Sequence, residues 1–558
     1  MIRLSTLTLA LVLAGCASAP QGPVTINLVS LNDFHGNLEP SRYTLKHADG
    51  KEEVMRAGGA EAVAAALQAW RKEDKDLLLV STGDIVGASP ALSSLWADEP
   101  TIEVMNMLNL HASAVGNHEF DGGRKELLRQ QNGGCDSPHP TRACKFTPNF
   151  GGAKFTYLGA NVIDAATGKP VIPGFKIEEV KGIKVGLVGV VLKDTPNMVV
   201  ASGIAGLQFG DEAEAINAAL PAMRAAGAQV IVALVHQGGR TVESPLQPGC
   251  SQLKGDIVDV VKKIDPSIKL VLTGHSHQGY LCDVDGRTVT QADTAGHLLT
   301  RVSMQVEPKT GAVSNLKVNN VVMKPGEYPA DPKMVAFVAQ VKERSKEALG
   351  RPIARVAGTP LLREPNKSGQ SVLGSLVADA ALDSTRHMGA QLAFMNSGGV
   401  RRDLEAGPDG MVSFGQTQVV LPFGNTTVLM NLTGAQIRRL LERQWPNGVD
   451  EVRSVLQVSE GFSYAWDAKR PEGSRIVPGS LKLNGKPMED GATYRIATNN
   501  FLAEGSDGYP EFGQGTDRNA TGMLDLDGFI AYLKKIEGQG AAMAQGGSNP
   551  APRIVKVN

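Results

Sequence analysis

The chain has 558 residues, which at roughly 150 residues per domain argues for two to four domains rather than one small fold. Hydrophobic residues make up 42% and charged residues 20%, ordinary globular usage that excludes an intrinsically disordered chain. With 56 Lys and Arg against 57 Asp and Glu, the net charge is −1, which excludes a protein built around nucleic-acid binding but leaves room for a small phosphate pocket. The five cysteines are an odd number, so one of them has a fate of its own.

The first element is an apolar run, Leu4 to Leu13, behind the single charge of Arg3. At about ten residues it is half the length of a membrane-spanning helix and reads as the core of a signal peptide over 1–15. It ends in Leu13-Ala14-Gly15-Cys16, which resembles a bacterial lipobox. That resemblance implies cleavage before Cys16, lipidation of its thiol, and a membrane-anchored protein of the cell envelope. Ala17 stands where an inner-membrane retention signal has Asp, which implies the outer membrane if the cell is Gram-negative. An ordinary secretory signal with a chance cysteine is the alternative. Residues 16–23 form a tether. Outside the cytoplasm disulfides persist, and four cysteines allow three pairings. Cys135 and Cys144 flank a short Pro-containing loop that favours their mutual bond, and Cys250 and Cys282 then pair by elimination. A zinc site competes with this reading, but no C-x-x-C spacing supports it.

From residue 24 to 328 apolar runs alternate with helical stretches. The segments 24–33, 76–84, 184–191, 229–236 and 268–277 are short, rich in Val, Leu and Ile, and bounded by polar residues or Gly, as buried strands are. Helices are predicted over 57–73 and 210–226, the second kinked or shortened by Pro221. This is a layered α/β pattern. An amphipathic linker helix is expected within 329–350, capped by Asp331, with Pro332 at its first turn and Val335, Val338 and Val341 near one face. A second, smaller α/β domain is expected over 351–537. Residues 538–558 read as a mobile tail, with 553–558 returning as a final strand.

Four of these strands, with the segment 114–119, share a feature that periodicity does not require: each ends in metal-ligand residue types. They lead to Asp33 and His35, to Asp84, to Asn117, to His236, and to His275 and His277. In open α/β sheets ligands bind at the carboxyl ends of strands, so these seven side chains would surround one crevice. Seven oxygen and nitrogen donors are too many for one tetrahedral ion and suit two divalent ions sharing a carboxylate. Zn²⁺, Mn²⁺ and Fe²⁺ all fit such a mixture. Singly, a D-x-H or a G-D is usually a turn, and a strand-end His is usually a core residue. The remaining histidines, His47, His111, His139, His297 and His387, lack this context and read as structural or solvated.

The order D-x-H, G-D, G-N-H-E, H, G-H-x-H resembles the calcineurin-like metallophosphoesterase signature. The phrases LNDFHG, STGDIVGASP, VGNHEFD and LTGHSH, with FTYLGANV, resemble the 5′-nucleotidase family more closely still. The resemblance implies a four-layered α/β-β/α metallophosphoesterase domain joined by a helix to a smaller α/β 5′-nucleotidase C-terminal domain. It implies that Asp33, His35 and His277 hold one ion, that Asn117, His236 and His275 hold the other, and that Asp84 bridges them. Some members carry Gln or Asn in place of His277. His118 would then stabilise charge on the phosphoryl or leaving group, with Asp121 orienting it.

NSGGVR, LPFGNTT and TNNFLAEGSDGYP resemble the family's nucleotide-binding motifs. They imply Phe423 and Phe501 as base-stacking platforms, Arg401 as a phosphate contact, Asn396 and Asn425 near base and ribose, and Asp507 as a ribose acceptor. A further substrate arginine is expected in 361–380; Arg363 is the choice, although the usual spacing lands near Lys367. The resemblance also implies that rotation between the domains, about a hinge near 345–360, gates turnover. The activity implied is release of phosphate from nucleoside 5′-monophosphates for salvage, extending to nucleoside di- and triphosphates or UDP-sugars. Alternatives on the same scaffold are a 2′,3′-cyclic nucleotide phosphodiesterase/3′-nucleotidase, a sulfur-oxidation thiosulfohydrolase and a non-catalytic binding protein.

Overall fold

The computed structural model describes residues 22–356, 360–445, 448, 455–538 and 552–558. Cys16, the signal peptide and most of the tether and tail lie outside the described residues. Among the described residues no helix is long and apolar enough to cross a membrane.

Two sheets dominate the N-terminal half. The first has six strands in the order Val313–Val322, Leu298–Val306, Val24–Leu31, Leu78–Ser81, Ala112–Ala114 and Thr156–Leu158. Its last four run parallel. The second has seven, with Ile183–Val191, Val230–His236, Leu270–Thr273 and Arg287–Ala292 parallel at its centre. Side chains alternate across each strand, so a central strand must bury both faces. Ile26 and Leu28 pack between the two sheets with Leu187, Val232 and Leu272. Val29 and Leu31 point the other way, into a core shared with Ala64, Leu67 and Trp70 of the Ala60–Glu73 helix. On the far side, Ile216 and Leu220 of the Glu212–Ala225 helix cover Val188 and Val190. The result is helix, sheet, sheet, helix. Asp211 caps the Glu212–Ala225 helix by accepting from the Ala213 and Glu214 amides, and the helix runs on through Pro221 rather than stopping there.

Both disulfides form, Cys135 with Cys144 and Cys250 with Cys282. The second joins neighbouring strands of the seven-stranded sheet.

The Pro332–Gly350 helix starts where its sequence signals place it. The Asp331 carboxylate accepts from the Lys333 and Met334 amides at 2.9 and 3.4 Å. Its buried face is Met334, Val338, Val341 and Ser345; Val335, one residue on, is only half-buried. The apolar members of that face belong to the core of the N-terminal domain. Beyond the helix, a five-stranded sheet centres on Leu392–Met395, Thr493–Asn499 and Thr426–Thr433. A smaller sheet includes Phe462–Trp466 and the returning strand Ile554–Lys556, paired in parallel. The second core is aromatic, with the Trp445 and Trp466 ring centroids 4.7 Å apart.

Candidate active site

The parallel strands of both sheets end at one crevice, and the turns that follow them are sharp. Asp33, His35, Asp84, His275 and His277 all have left-handed backbone, with φ of 49°, 45°, 51°, 71° and 52°. Non-glycine residues adopt this region at a cost of order 1–3 kcal/mol, sustained only where the surroundings over-determine it. Here neighbouring loops lock one another: the Asp33, His35 and Gly36 amides donate to the Gly83, Asp84 and Ile85 carbonyls at 3.0, 2.9 and 3.0 Å. Gly116 has no alternative, because a Cβ there would stand 2.1 Å from Asp84 Oδ1 and 2.6 Å from His236 Cε1.

The donor atoms fall into two groups that share Asp84. Asp33, His35, Asp84 and His277 form one, and Asp84, His236 and His275 the other, each with its atoms within 4.8 Å of one another. Asn117 joins the second, its Oδ1 3.2 Å from His236 Nε2 and 3.0 Å from His275 Nδ1. The tautomers are set from behind. His35 Nδ1 lies 2.8 Å from the Gly87 carbonyl and His236 Nδ1 2.7 Å from the Thr82 carbonyl. A carbonyl only accepts, so both Nδ1 atoms carry hydrogen and both neutral rings turn an Nε2 lone pair inward. The His236 lone pair meets Asp84 Oδ2 at 3.2 Å as well as Asn117 Oδ1. The His35 lone pair meets His277 Nε2 at 3.0 Å and Asp84 Oδ2 at 3.7 Å. The buried His236 lone pair facing the Asp84 carboxylate calls for a positive charge between them. A proton answers this at His236: burial opposes its protonation, but the Asp84 carboxylate outweighs burial and lifts its pKa to about 9. Burial and the neighbouring His236 push His275 down to about 3. Divalent cations satisfy both groups at once, and imidazole mixed with carboxylate is the donor set of borderline ions.

His118 stands beside this centre without belonging to either group. Its backbone amide donates to Asp84 Oδ1 at 2.9 Å, and its Nδ1 lies 2.9 Å from Asp121 Oδ2. Burial works against its charged form, but Asp121 and Asp84 raise its pKa above the ordinary histidine value. From Asn117, His118 and His275 a cavity of about 480 Å³ runs between the domains. Its C-terminal-domain wall carries Asn396, Arg401, Phe423, Asn425, Phe501 and Asp507, six of the seven residues expected to touch substrate. The Phe423 ring lies nearly parallel to His118, 18° and 5.7 Å between centroids, and the Arg401 guanidinium sits 5.7 Å from the Phe423 ring centre. Arg363 is not on this wall; its Nη1 donates to the Arg401 carbonyl at 3.2 Å and its amide to Asp403.

Comparison with known proteins agrees with this geometry. Residues 26–279 match the family model for calcineurin-like phosphoesterases, and residues 352–514 match that for the 5′-nucleotidase C-terminal domain. The chain belongs to the 5′-nucleotidase family of metallophosphoesterases. It is 30% identical to the endonuclease YhcR of Bacillus subtilis over 93% of this chain, although it spans only 40% of that relative's length. It is 29% identical to the cell wall protein Lmo0130 of Listeria monocytogenes, covering 94% of this chain and 69% of the relative. Among solved structures, the 5′-nucleotidase precursor of Thermus thermophilus superposes with a TM-score of 0.71 at 28% identity, covering 92% of this chain and 97% of that one.

Enzymes of this family are hydrolases that use divalent metal ions, and the two ligand groups of this member are built for them. Three of its residues escaped the sequence reading. Glu119 is buried, and its carboxylate accepts from the Gly116, Asp84 and Ile85 amides at 2.5, 2.9 and 2.8 Å, tying two strand-end loops together. Only its place in G-N-H-E hinted at this. Arg402, next to the expected Arg401, crosses the domain boundary to Asn37 Oδ1 at 3.1 Å. It acts with Gln418 to Ser94 at 2.7 Å and the Asp507 amide to the Asn197 carbonyl at 2.7 Å to hold the two halves around the cavity. His139, taken from its context as structural or solvated, lines the cavity.

Asn425 is itself positioned by a buried acid. Burial pushes the Asp525 carboxyl up to about 7, against the hydrogen bond it takes from Asn425. A carboxyl raised on folding binds more protons folded than unfolded between the unfolded and folded pKa values, so stability falls as pH rises from about 4 to about 7. Asp525→Asn removes that loss. The variant is expected to melt higher than the parent at pH 8 and to differ less at pH 5; an equal shift at both pH values would contradict a raised Asp525.

Proposed function

We propose that this chain is a two-metal phosphohydrolase that releases phosphate from nucleoside 5′-monophosphates outside the cytoplasm. One observation carries the reading: a single cavity joins His118, with Asn117 and His275 at the edge of the ligand cluster, to a wall bearing two aromatic rings, an arginine and three polar side chains. Its size suits a mononucleotide rather than a bare phosphate. Asp33, His35 and His277 would hold one ion, Asn117, His236 and His275 the other, with Asp84 shared. Bound there, two divalent cations supply Lewis-acid polarisation of the phosphoryl group and activation of water at neutral pH. The chain's own residues do the rest. His118, kept charged by Asp121, faces the phosphoryl oxygens and the leaving ester oxygen. Arg401 adds a fixed positive fork at the phosphate end. Phe423 and Phe501 take the base, with Asn396, Asn425 and Asp507 on the sugar and base edges. Nucleoside di- and triphosphates and UDP-sugars would enter the same way. Extracytoplasmic placement, with a lipid anchor at Cys16, is supported by the lipobox-like sequence, by two disulfides and by the cell wall relative.

The test uses mature protein stripped with chelator and reloaded with Zn²⁺ or Mn²⁺, given AMP, UDP-glucose, 2′,3′-cyclic AMP and 4-nitrophenyl phosphate. AMP should give the highest kcat/KM and activity should return only with metal. No phosphate from any of them would end the phosphohydrolase reading, and preference for the cyclic nucleotide would move it to the phosphodiesterase alternative. A base stack contributes about 1–3 kcal/mol, so Phe423→Ala should raise KM for AMP by about tenfold or more. The aryl phosphate should be affected less; equal effects would mean that no base stacks there.

A further inference from the structure

The loop closed by Cys135–Cys144 reaches the cavity, and nothing in the proposed chemistry accounts for it. It follows the Gly123–Asn132 helix and is anchored on that helix's buried charges. Arg129 pairs with Glu126 and Glu99 at 2.6 and 2.9 Å. Glu126 then accepts from the Ser137 hydroxyl at 2.7 Å, and Ser137 Oγ accepts from the His139 amide at 3.0 Å. Pro138 and His139 are thereby set into the cavity wall opposite the C-terminal domain.

The His139 ring is oriented as firmly as its backbone. Its Nδ1 lies 2.8 Å from Arg142 Nη2, and Arg142 Nη1 reaches the Ser94 carbonyl at 3.3 Å. A guanidinium donates and never accepts, so Nδ1 is the acceptor and the proton sits on Nε2. Burial and the Arg142 charge lower the His139 pKa, which keeps the ring neutral. Nε2 lies beside Gly122, where an added Cβ would stand 3.2 Å from it. Among the described residues no protein acceptor meets it. His139, Asp121 and Phe423 all line the main cavity and again the small pocket of about 50 Å³ beside it, so the ring and the Phe423 platform open onto the same space.

We propose that His139 is a specificity-determining residue whose neutral Nε2–H donates to an acceptor on the edge of the base held at Phe423, with the disulfide loop pre-organising it. This rests on the nucleotide reading above. The donor is built before substrate arrives, so its contribution is to binding, and a substrate without a base gains nothing from it.

The experiment is steady-state kinetics of the metal-loaded mature protein with His139→Ala and His139→Gln on AMP, ribose 5-phosphate and 4-nitrophenyl phosphate. Losing one pre-organised hydrogen bond is expected to raise KM for AMP about tenfold in the alanine variant, with kcat within about twofold. The ratio of kcat/KM for AMP to that for the aryl phosphate should fall by the same factor. Glutamine, which keeps an N–H donor, should recover most of the loss. A wild-type protein that hydrolyses AMP no better than the aryl phosphate would overturn the nucleotide reading and this inference with it. A wild type that prefers AMP, with an alanine variant that slows all three substrates alike or a glutamine variant no better than alanine, would overturn the inference alone. An equal KM rise for ribose 5-phosphate would place the contact on the sugar and also overturn it.

Discussion

His118→Asn is expected to lower kcat for AMP by about 10²–10⁴-fold, the range of a positioned acid–base group, with divalent metal content unchanged. The reason is geometric. The imidazole belongs to neither ligand group, and the hydrogen bond that ties His118 to them is made by its backbone amide on Asp84, which asparagine keeps. Metal analysis of the purified variant is the check, since loss of metal together with activity would make His118 a ligand. The pH profile adds a second reading of the same site. Asp121 and Asp84 raise the His118 pKa, so the charged form persists to higher pH than in a free histidine. If the imidazolium does the work, activity falls as pH rises through that raised value. Asp121→Asn removes one of the two carboxylates, so the alkaline fall should move to lower pH. A profile that does not move would mean that His118 works in its neutral form.

Glu119→Ala is expected to be as damaging by another route. The carboxylate is buried and takes four backbone amides, those of Gly116, Asp84 and Ile85 and, at 3.5 Å, Val86. Alanine leaves those donors without a partner, at about 1–3 kcal/mol each, so a loss of several kcal/mol is expected. For a domain whose whole stability is of order 5–15 kcal/mol that is a large share. The same amides set the turn carrying Asp84, the carboxylate common to both ligand groups, so metal affinity should fall by about 10–100-fold even where the protein folds. Denaturant unfolding and metal titration of the variant test the two parts separately. A stability change below about 1 kcal/mol would mean that water replaces the carboxylate without cost. Glu119→Gln, which keeps one acceptor oxygen, should fall between.

Legibility in the sequence followed the range of the interactions. Strands such as 230–236 and 270–273 were readable because burial on both faces demands unbroken apolar runs. The linker helix was readable from Asp331 and Pro332, whose capping chemistry is local. Val338 and Val341 lie on its buried face as expected, but Met334 rather than Val335 completes that face, because the partner surface fixes the rotation of the helix. Pro221, expected to kink or shorten its helix, does not shorten it, since packing of Ile216, Leu220 and Met223 sustains the helix on both sides of it.

The composition argues for an ordinary globular chain, and the strand-end motifs point to a metallophosphoesterase, since ligand identity is carried by residue type and spacing. The tertiary structure alone decided which atoms meet. The inward lone pairs of His35 and His236 follow from carbonyls at Gly87 and Thr82, far along the chain from those rings. The role of Glu119 depends on amides from two separate loops, and those of Arg402 and His139 on surfaces brought together by folding. Such contacts leave no local pattern, because a hydrogen bond depends on distance and direction in space and not on separation along the chain.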